Sequence, residues 1–500
     1  MRVNLQGWER NCAVVNLAAN PSGIPSQSPR VARDEPPLRF RTKNLQSPGA
    51  ALQPRSITAS LHYVRGVRDS LNWQVGVLPH VRQTVGCFLW ELRAYAMAKL
   101  PVTGNVKRFS RFDNQLRTPA SFGMHLARLR LRDFRNCAKL DAEFVPGFHL
   151  FLGRNAQGKT NILEAIYLLA TLRSFRGVGG GQMIRHGAKG YFAGGTVVGA
   201  GEHEIKAYWS PRERQLTLNA RPVRKLSEYL GTLRAVVFCT EDLQLVKGSP
   251  RIRRRFLDLL LAQTRPGYLS LLLRYTQALR SRNALLKQSV ADDAQLDGFT
   301  RGLVELGNEL IVARRELVPR ISPLARLAHR RVSHDAEDLK LEYRPCIKAD
   351  FLLELKQSRG RERMMRTTVL GPHRDDVELM LDDRAAAAYT SEGQKRTIAL
   401  ALKMAQAEYL SGIHGTPPVL LIDDVMGELD AQRRAGLVPL LQQAHRAGGQ
   451  VFMTCTEENW PRELGREIIR WEVKSGSLTP IPPNVVAPAP KMPGQGDRGE

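Results

Sequence analysis

Val145-Pro-Gly-Phe-His-Leu-Phe-Leu-Gly153-Arg-Asn-Ala-Gln-Gly158-Lys159-Thr160-Asn161 is the stretch that decides the fold of this chain. Its apolar run leads directly into the pattern Gly-x-x-x-x-Gly-Lys-Thr, and residues 162–169 then repeat apolar side chains at helical spacing. This order predicts a strand, a phosphate-binding loop and a helix. A glycine-rich surface turn is the simpler interpretation, but the flanking strand and helix favour nucleotide binding.

The loop residues are the candidate nucleotide ligands. Their backbone N–H groups and the positive end of the helix are suited to phosphate oxygens. Lys159 is expected to reach the outer phosphates as a catalytic residue, and the Thr160 hydroxyl is expected to bind Mg²⁺. The predicted nucleotide-binding residues of the loop are Gly153, Arg154, Asn155, Ala156, Gln157, Gly158, Lys159 and Thr160.

Composition limits the class of protein. The chain has 500 residues, of which 43% are hydrophobic, enough for two or three domains with cores of their own. It contains no apolar run of the roughly 18 residues that a membrane span needs and no secretory signal pattern, so we expect a cytoplasmic protein without a membrane partner. Six scattered cysteines, without a Cys-x-x-Cys pair, indicate neither a disulfide framework nor a zinc site.

The charge balance favours an anionic partner. Lys and Arg number 74 against 48 Asp and Glu, which gives a net charge of +26 and a pI near 10.3. Such a balance suits a polyanion such as nucleic acid.

Residues 1–123 differ from the rest of the chain. They hold 17 Lys and Arg against 6 Asp and Glu and show no sustained period of 2 or 3.6. We expect an N-terminal extension that is disordered or not native to the protein. A transit peptide and a natural translation start at Met124 are the other interpretations, and a clear alternation of apolar and basic residues begins at that methionine.

From Met124 onward the sequence predicts an α/β protein. Residues 124–240 contain a hairpin, the phosphate loop and, over 191–223, short antiparallel strands. Residues 241–335 predict an all-helical insertion, with helices from Tyr268 to Lys287 and from Leu296 to Val318. Residues 336–474 return to strands and helices, and six prolines in residues 475–500 predict a disordered tail.

Two basic runs lie in the helical insertion, at Arg253-Arg254-Arg255 and Arg280-Ser-Arg282-Asn283. They are candidates for phosphate binding. A solvated helix face is the commoner explanation of such runs.

A second nucleotide motif ends the apolar strand Pro418-Val-Leu-Leu-Ile-Asp423-Asp424. Parallel core strands present their ligands at the carboxyl edge of the sheet, beside the phosphate loop. Asp423 is therefore the candidate to hold Mg²⁺ through water, and Asp424 is the candidate catalytic residue that polarises the attacking water.

A third candidate element is Ser391-Glu-Gly393-Gln394, at the start of a long helix. Ser391, Gly393 and Gln394 combine a small hydroxyl, close backbone approach and a helix N-terminus, which suits a phosphate. An ordinary capping sequence would look the same in isolation.

The order of these motifs is that of ABC-type ATPase heads, and within that superfamily the sequence resembles the RecF family of bacterial recombinational-repair ATPases over residues 124–474. The segments that carry the resemblance are Leu131–Asn136, Gly153–Asn161, Arg173–Arg176, Ser249–Asp258, Arg282–Lys287, Gly371–Asp376, Ser391–Gln394 and Asp423–Asp430. The Gly-Pro-His-Arg-Asp-Asp run and the Asp-Asp pair, in place of the Asp-Glu of transporters, separate this family from other ABC ATPases.

The resemblance implies an ABC-type ATPase head, a mixed sheet with helices, plus a helical lobe. It implies ATP and Mg²⁺ as cofactors, slow DNA-stimulated hydrolysis, and an ATP-driven homodimer in which Ser391 of one chain faces the nucleotide of the other. It further implies binding to gapped, double-stranded and single-stranded DNA, cooperation with RecO and RecR, loading of RecA, and a role in DNA damage and the SOS response.

Two features depart from the family pattern. Transporter-type heads carry a His after the last core strand, whereas Val451-Phe-Met-Thr-Cys-Thr456 offers only Thr as a γ-phosphate sensor. Residues 1–123 have no counterpart in the family, so no function is assigned to them.

Two other classes of function are consistent with these motifs. An ATPase subunit of a membrane transporter would share them, but the helical insertion between Lys159 and Gly393 has no reason to exist in a compact transporter motor. A non-catalytic clamp that binds ATP structurally is the third class, because Asp424 has a shorter reach than Glu.

Overall fold

The computed structural model describes residues 123–288, 293–333, 337–456, 464 and 468–482. The expectation for residues 1–123 therefore concerns a segment that, apart from Gly123, lies outside the described residues. Residues 483–500 of the expected tail also lie outside them.

A six-stranded sheet carries the phosphate loop. Its strands are β3 (Gly147–Leu152), β8 (Ala235–Phe238), β12 (Val419–Asp423), β13 (Gln450–Cys455), β14 (Ile468–Lys474) and β15 (Ser477–Ile481). They lie in the order β15-β14-β3-β13-β12-β8, and every neighbouring pair is parallel except β14 with β15. β3, β8, β12 and β13 are buried along their whole length, as expected for parallel strands covered on both faces.

The two faces of this sheet belong to two different apolar cores. Phe148, Leu150 and Leu152 point into the core shared with the long helices, whereas Phe151 points into the core shared with a second sheet. This alternation explains why the strand before the phosphate loop is buried at every position, His149 included.

The second sheet is antiparallel. Its order is β2-β1-β4-β5-β6-β7, and the predicted hairpin and the predicted short strands are confirmed. The helix α1 (Lys159–Thr171) contributes its apolar side chains to the core shared by the two sheets. The strands are β1 (His125–Phe134), β2 (Cys137–Glu143), β4 (Tyr191–Val198), β5 (Glu202–Trp209), β6 (Arg214–Leu218) and β7 (Arg221–Pro222).

Helices dominate the next part of the chain, as predicted. The helix expected from Leu296 to Val318 extends over 41 residues and contains Pro319 and Pro323. The predicted end at Val318 is therefore wrong, because the packing of this helix against others carries it on through both prolines. The helices here are α2 (Leu226–Tyr229), α3 (Gln244–Lys247), α4 (Pro250–Thr264), α5 (Tyr268–Leu286) and α6 (Asp293–Ser333).

The long helices end at Ser333, close to the expected boundary of the helical insertion at residue 335. A small sheet, β9 (Leu339–Arg344), β10 (Asp376–Leu381) and β11 (Arg384–Ala385), follows α6. Between its first two strands lie α7 (Phe351–Gln357) and α8 (Arg359–Met365), which the sequence did not predict. Glu362 of α8 forms a fully buried ion pair with Arg282 of α5, so these two helices are packed into the helical region.

The remaining helices complete the head. They are α9 (Ala386–Tyr389), α10 (Glu392–His414), α11 (Val425–Glu428) and α12 (Ala431–Arg446). α12 crosses α6 closely at Gly436, where a Cβ atom would lie 2.6 Å from the Arg331 carbonyl oxygen. The helical region and the head therefore share one apolar core along α6, α10 and α12.

The prediction of a disordered tail from Ser475 is wrong for residues 475–482. Ser475 and Gly476 form a turn, and β15 pairs with β14 in antiparallel register, with Lys474 opposite Ser477. The prolines misled the prediction, because Pro480 lies in an edge strand, where a missing N–H donor is tolerated.

Within the described residues, no helix is long and apolar enough to cross a membrane. The cysteines of the same part of the chain, Cys137, Cys239, Cys346 and Cys455, are free thiols.

Candidate active site

The phosphate loop connects β3 to α1 in a conformation that requires its glycines. Gly153 and Gly158 have φ angles of +155° and +110°. A Cβ atom on Gly153 would lie 2.5 Å from the Val473 carbonyl oxygen, and one on Gly158 would lie 2.6 Å from Asn136 Oδ1. Side chains at these positions would therefore force the loop away from its neighbours.

Lys159 is held inside the loop. Its Nζ donates hydrogen bonds to the carbonyl oxygens of Gly153, at 2.6 Å, and Arg154, at 3.1 Å. Burial lowers the pKa of the ammonium group, and the nearby carboxylates of Asp424 and Asp423 oppose this shift. The lysine thus lies close to both predicted acidic residues.

Asp423 joins the second motif to the first. The Thr160 hydroxyl donates to Asp423 Oδ1 at 2.8 Å, and the Thr454 hydroxyl donates to the same oxygen at 3.0 Å. The contact arises because β12 and β13 end in register, with Asp423 opposite Thr454, beside the strand that leads into the loop. Burial raises the pKa of the Asp423 carboxyl group, and the two hydroxyl donors partly offset that effect.

The oxygen donors at this point suit Mg²⁺. Thr160 Oγ1 and Asp423 Oδ1 are hard ligands, and a Mg²⁺ ion commonly completes its octahedron with phosphate oxygens and water. No cluster of three or more His, Cys, Asp or Glu side chains in the described ranges could hold a metal alone. The donor set therefore fits a magnesium ion that is shared with the nucleotide.

Asp424 has different surroundings from Asp423. It is exposed, adopts a left-handed backbone conformation with φ +56°, and precedes α11. Its backbone N–H donates to the Thr454 hydroxyl at 2.9 Å. Thr454 lies in β13, the strand that a His follows in transporter-type heads. Its hydroxyl contacts both aspartates, so it orients them and is not free to act as a γ-phosphate sensor.

Ser391, Gly393 and Gln394 do not join the phosphate loop of their own chain. Ser391 and Gln394 form a reciprocal capping box at the start of α10, with bonds of 2.7 and 3.2 Å. Gln394 also donates to Glu337 at 2.6 Å, and a Cβ atom on Gly393 would lie 3.0 Å from Arg433 Nη2. Among the described residues, no hydrogen bond or ion pair connects this element to residues 153–160.

Residues behind the phosphate loop support it, and the sequence analysis assigned them no role. Asn136 donates to the Gln157 carbonyl oxygen at 3.0 Å and accepts from the Asn161 side chain at 2.8 Å. Arg135 forms a bidentate pair with the buried Glu164 of α1, at 2.7 and 2.8 Å. The family segment Leu131–Asn136 therefore positions the loop and its helix, a role that spacing along the sequence does not reveal.

The turn after β14 holds the loop from the other side. Gly476 N–H donates to the Gln157 carbonyl oxygen at 2.8 Å, and Ser475 N–H donates to Gln157 Oε1 at 2.9 Å. A Cβ atom on Gly476 would lie 2.7 Å from the Cys137 Cα atom. Part of the segment expected to be disordered is thus in direct contact with the predicted site.

Three arginines of the basic runs, Arg253, Arg254 and Arg282, have internal partners, which corrects both interpretations for these residues. Arg282 is fully buried against Glu362 and Thr368. Arg253 forms a bidentate pair with Asp376, at 2.8 and 2.9 Å. The side chains of these two arginines are paired inside the protein and are not available to bind a phosphate.

The Gly371–Asp376 run forms a structural junction. Arg314, almost completely buried on α6, forms ion pairs with Asp258 at 2.8 Å and with Asp375 at 3.1 Å. His373 shares a hydrogen bond of 2.7 Å with the Tyr275 hydroxyl, and burial lowers its pKa to about 4. The polar residues of this run therefore join α4, α5 and α6 to β10.

The mixed sheet, the phosphate loop, the Asp423–Asp424 pair and the helical region define an ABC-type ATPase head with a helical lobe. The family model described as "RecF/RecN/SMC N terminal domain" matches residues 125–476. A curated relative from Symbiobacterium thermophilum, "DNA replication and repair protein RecF", is 41% identical over 372 residues, which cover 71% of this chain and 98% of the relative. The chain belongs to the RecF family.

Other similar proteins agree. The RecF protein of Halalkalibacterium halodurans is 38% identical over 375 residues, which cover 71% of this chain and 99% of the relative. A solved structure described as "the recombination mediator protein RecF-ATP in RecFOR pathway" is 28% identical, with a TM-score of 0.67, and covers 73% of this chain and 100% of that one. A second structure of the mediator, described as RecF-ATPrS, has a TM-score of 0.65 at 28% identity and covers 72% and 99%.

Proposed function

We propose that this protein is an ATP-dependent DNA-binding protein of DNA replication and recombinational repair. The observation that carries the proposal is the hydrogen bond between Thr160 and Asp423, 263 positions apart in the chain. It brings the phosphate loop and the paired carboxylates to one point. Such a contact between two motifs is expected of a nucleotide site and is unnecessary in a glycine-rich surface turn.

Each residue of the site then has a task in ATP binding and hydrolysis. The N–H groups of residues 153–160 and the Lys159 ammonium group bind the phosphates. Thr160 and Asp423 would hold Mg²⁺, and a metal ion there would neutralise phosphate charge during hydrolysis. Asp424, exposed beside Lys159, orients and polarises that water.

The nucleotide site is completed by a second copy of the chain. Ser391, the N-cap of α10, is exposed and Gly393 in its first turn is half-buried, and both lie outside contact with their own phosphate loop. The N-terminus of α10 carries a partial positive charge that suits a γ-phosphate. ATP would thus act as the link of a homodimer, with Ser391, Gly393 and Gln394 facing the nucleotide of the partner.

The partners follow from the family. The curated relatives are named for DNA replication and repair, and the similar solved structures are described as mediators in the RecFOR pathway. We therefore propose gapped, double-stranded and single-stranded DNA as the ligands, RecO and RecR as protein partners, and the loading of RecA as the outcome, in the cytoplasm.

The test is ATP turnover with and without DNA, for the unmodified chain and for Lys159→Ala. Charge-assisted hydrogen bonds from Lys159 are worth about 1.5–3 kcal/mol each, so its removal should weaken ATP binding or stop turnover and abolish ATP-dependent retention on DNA. Turnover that DNA does not affect would favour an ATPase of another assembly, such as a transporter motor. ATP binding without any turnover would favour a structural clamp, and unchanged activity of Lys159→Ala would overturn the assignment of the site.

A further inference from the structure

A cavity of about 490 Å³ lies between the β7–α2 segment of the head and the outer face of α5. Its walls carry Arg224 and Lys225 from the head and Arg274 from the helical region. None of the residues that form the phosphate loop or the Asp423–Asp424 pair lines it. The cavity is therefore separate from the candidate active site.

The chemistry of the lining points to an anion. Besides the three cations, the polar groups in the walls are the hydroxyls of Ser227 and Ser270, which can both donate hydrogen bonds, and an amide, that of Gln277. No Asp or Glu side chain lines the cavity, and residues 268–288 of the α5 segment contain neither residue type. Glu228 lies on the adjacent α2 but outside the lining.

The three cations have no partner in the part of the chain that the structure describes. All three are exposed, and no hydrogen bond or ion pair of their side chains occurs there. Arg253 and Arg282 of the basic runs differ from these three cations, because each forms an ion pair inside the protein. Positive charge is therefore available to an external ligand at this cavity.

The two walls are fixed relative to each other. Leu226 from α2 and Leu269 from α5 form the floor, and both are almost completely buried in the core that lies between the two large sheets. Leu273 packs against the same core. The cations of α5 and of the β7–α2 segment are thus held on either side of a rigid apolar floor. Binding of a chain of phosphates would therefore require little reorganisation of the protein.

We propose that this cavity binds the sugar–phosphate backbone of DNA. The inference rests on the proposed function and adds to it the surface where DNA lies. Phosphate contacts come from Arg, Lys, Ser and Gln side chains, the types that line the walls. A strand passing over the floor would place successive phosphates against the Arg224–Lys225 wall and the Arg274 wall, with deoxyribose against the leucines.

The test is the salt dependence of DNA affinity for Arg224→Ala/Lys225→Ala/Arg274→Ala. Each lost phosphate contact should make the slope of log affinity against log salt less negative by about 0.9. The triple variant should therefore show a slope that is less negative by about 2 to 3 and, at 0.15 M salt, an affinity reduced roughly 100-fold. ATP binding and DNA-free turnover should be unchanged, because none of the three residues lies in the active site.

The matched control is Lys356→Ala/Arg361→Ala/Arg366→Ala on α7, α8 and the residue that follows α8. These cations are also exposed and form no ion pair in the described part of the chain, and the control removes the same three charges. The control should keep the slope within about 0.5 of the unmodified value. Equal losses in both variants would reduce the effect to overall charge and overturn the proposal.

A nucleotide is the other source of phosphate. Binding of ATP or inorganic phosphate to Lys159→Ala that disappears on adding the three cavity substitutions would assign the cavity to a free phosphate compound and overturn the DNA assignment. DNA binding by the unmodified chain that the triple variant retains in full would also overturn it while leaving the proposed function intact. Failure of the unmodified chain to bind DNA at any salt concentration would instead contradict the proposed function itself.

Discussion

Asp423 and Asp424 are neighbours in the chain, but the fold gives them different surroundings. Asp423 is buried and accepts two hydroxyl hydrogen bonds, whereas Asp424 is exposed at the start of α11. We expect Asp424→Asn to bind ATP with nearly unchanged affinity and to lose hydrolysis by a factor of 100 or more, about 2.7 kcal/mol in the barrier. Asp423→Ala should lose the Mg²⁺ dependence of ATP binding as well.

ATP titrations with and without Mg²⁺, together with single-turnover hydrolysis, separate the two roles. Asp376→Asn is an acidic-to-amide control, because that residue pairs with Arg253 far along the chain from the loop. If Asp423→Ala and Asp424→Asn behaved alike in both assays, the proposed division of labour between the aspartates would be wrong.

His149, in the middle of β3, makes the fold sensitive to acid. Its Nδ1 accepts from Trp471 at 3.1 Å and its Nε2 lies 2.7 Å from the Val145 carbonyl oxygen, a pair of contacts that fits the neutral ring. Burial lowers the pKa of His149 to about 4, below its usual value of 6.5. The unfolded chain therefore binds more protons between these values, and stability is lost as the pH falls from 6.5 towards 4.

At pH 5 this histidine should cost about 2 kcal/mol of stability relative to pH 7.5. His149→Phe should lower stability at pH 7.5 by roughly 1–3 kcal/mol, because it leaves the Trp471 N–H without its acceptor. It should also lose less stability than the unmodified chain on acidification. Denaturant titrations at both pH values measure this, and an equal loss in the two chains would show that His149 does not titrate as proposed.

At the scale of elements, the phosphate loop depends on two segments that are remote in sequence. The β1–β2 turn contributes Asn136, and the β14–β15 turn contributes Ser475 and Gly476, and all three bind Gln157. The loop is therefore held on both sides before any nucleotide arrives. Preorganisation of this kind lowers the cost of binding.

Asn136→Asp tests this support without touching the nucleotide. It removes the N–H donor to the Gln157 carbonyl oxygen and leaves an acceptor for Asn161. We expect the KM for ATP to rise roughly 3- to 10-fold, which corresponds to one hydrogen bond of 0.5–1.5 kcal/mol, with a smaller change in kcat. Asn219→Asp, in the β6–β7 turn, is the control, because it keeps the acceptor for the Glu204 N–H and loses only an exposed contact with His203, outside the phosphate loop. Equal KM values for the two variants would contradict the role of Asn136.

The elements that sequence predicted well are those whose signal is local. The strand, loop and helix around Lys159, the apolar strand before Asp423 and the helix after Ser391 each carry their pattern within about 20 residues. Both of the aspartates and the loop lie together in the structure, as expected. The proximity of the phosphate loop and the Asp423–Asp424 pair could be predicted, because parallel strands present their ligands at the same edge of the sheet.

The elements that sequence missed depend on distant partners. β15 contains Pro480 and follows a turn, so its composition indicates a tail, and only its pairing with β14 makes it a strand. The burial of Arg282 depends on Glu362, 80 positions away on a helix that was not predicted. Charged residues in a helical pattern do not reveal such a partner, because the same letters describe a solvated face.

At the level of the whole molecule, the proposed function makes the nucleotide site one half of a site that two chains share. The start of α10 carries a capping box and a free positive end, and in the described residues nothing connects it to its own phosphate loop. A second copy would place this end against the γ-phosphate and bury the nucleotide between two heads. Mixing chains with complementary defects follows from this arrangement: Ser391→Arg and Lys159→Ala together should recover part of the turnover that each lacks, through the one intact site.

The shared nucleotide site is tested most directly by the molar mass of the protein with MgATP, measured by sedimentation in the Asp424→Asn background, where bound ATP should persist. We expect an ATP-dependent dimer. Adding Ser391→Arg should leave one ATP bound per chain but keep the chain monomeric, because a bulky cation then occupies the place of the phosphate. Ser411→Arg, near the other end of α10, should still form the dimer. A dimer of unchanged stability in the Ser391→Arg chain, with ATP bound, would contradict the shared site.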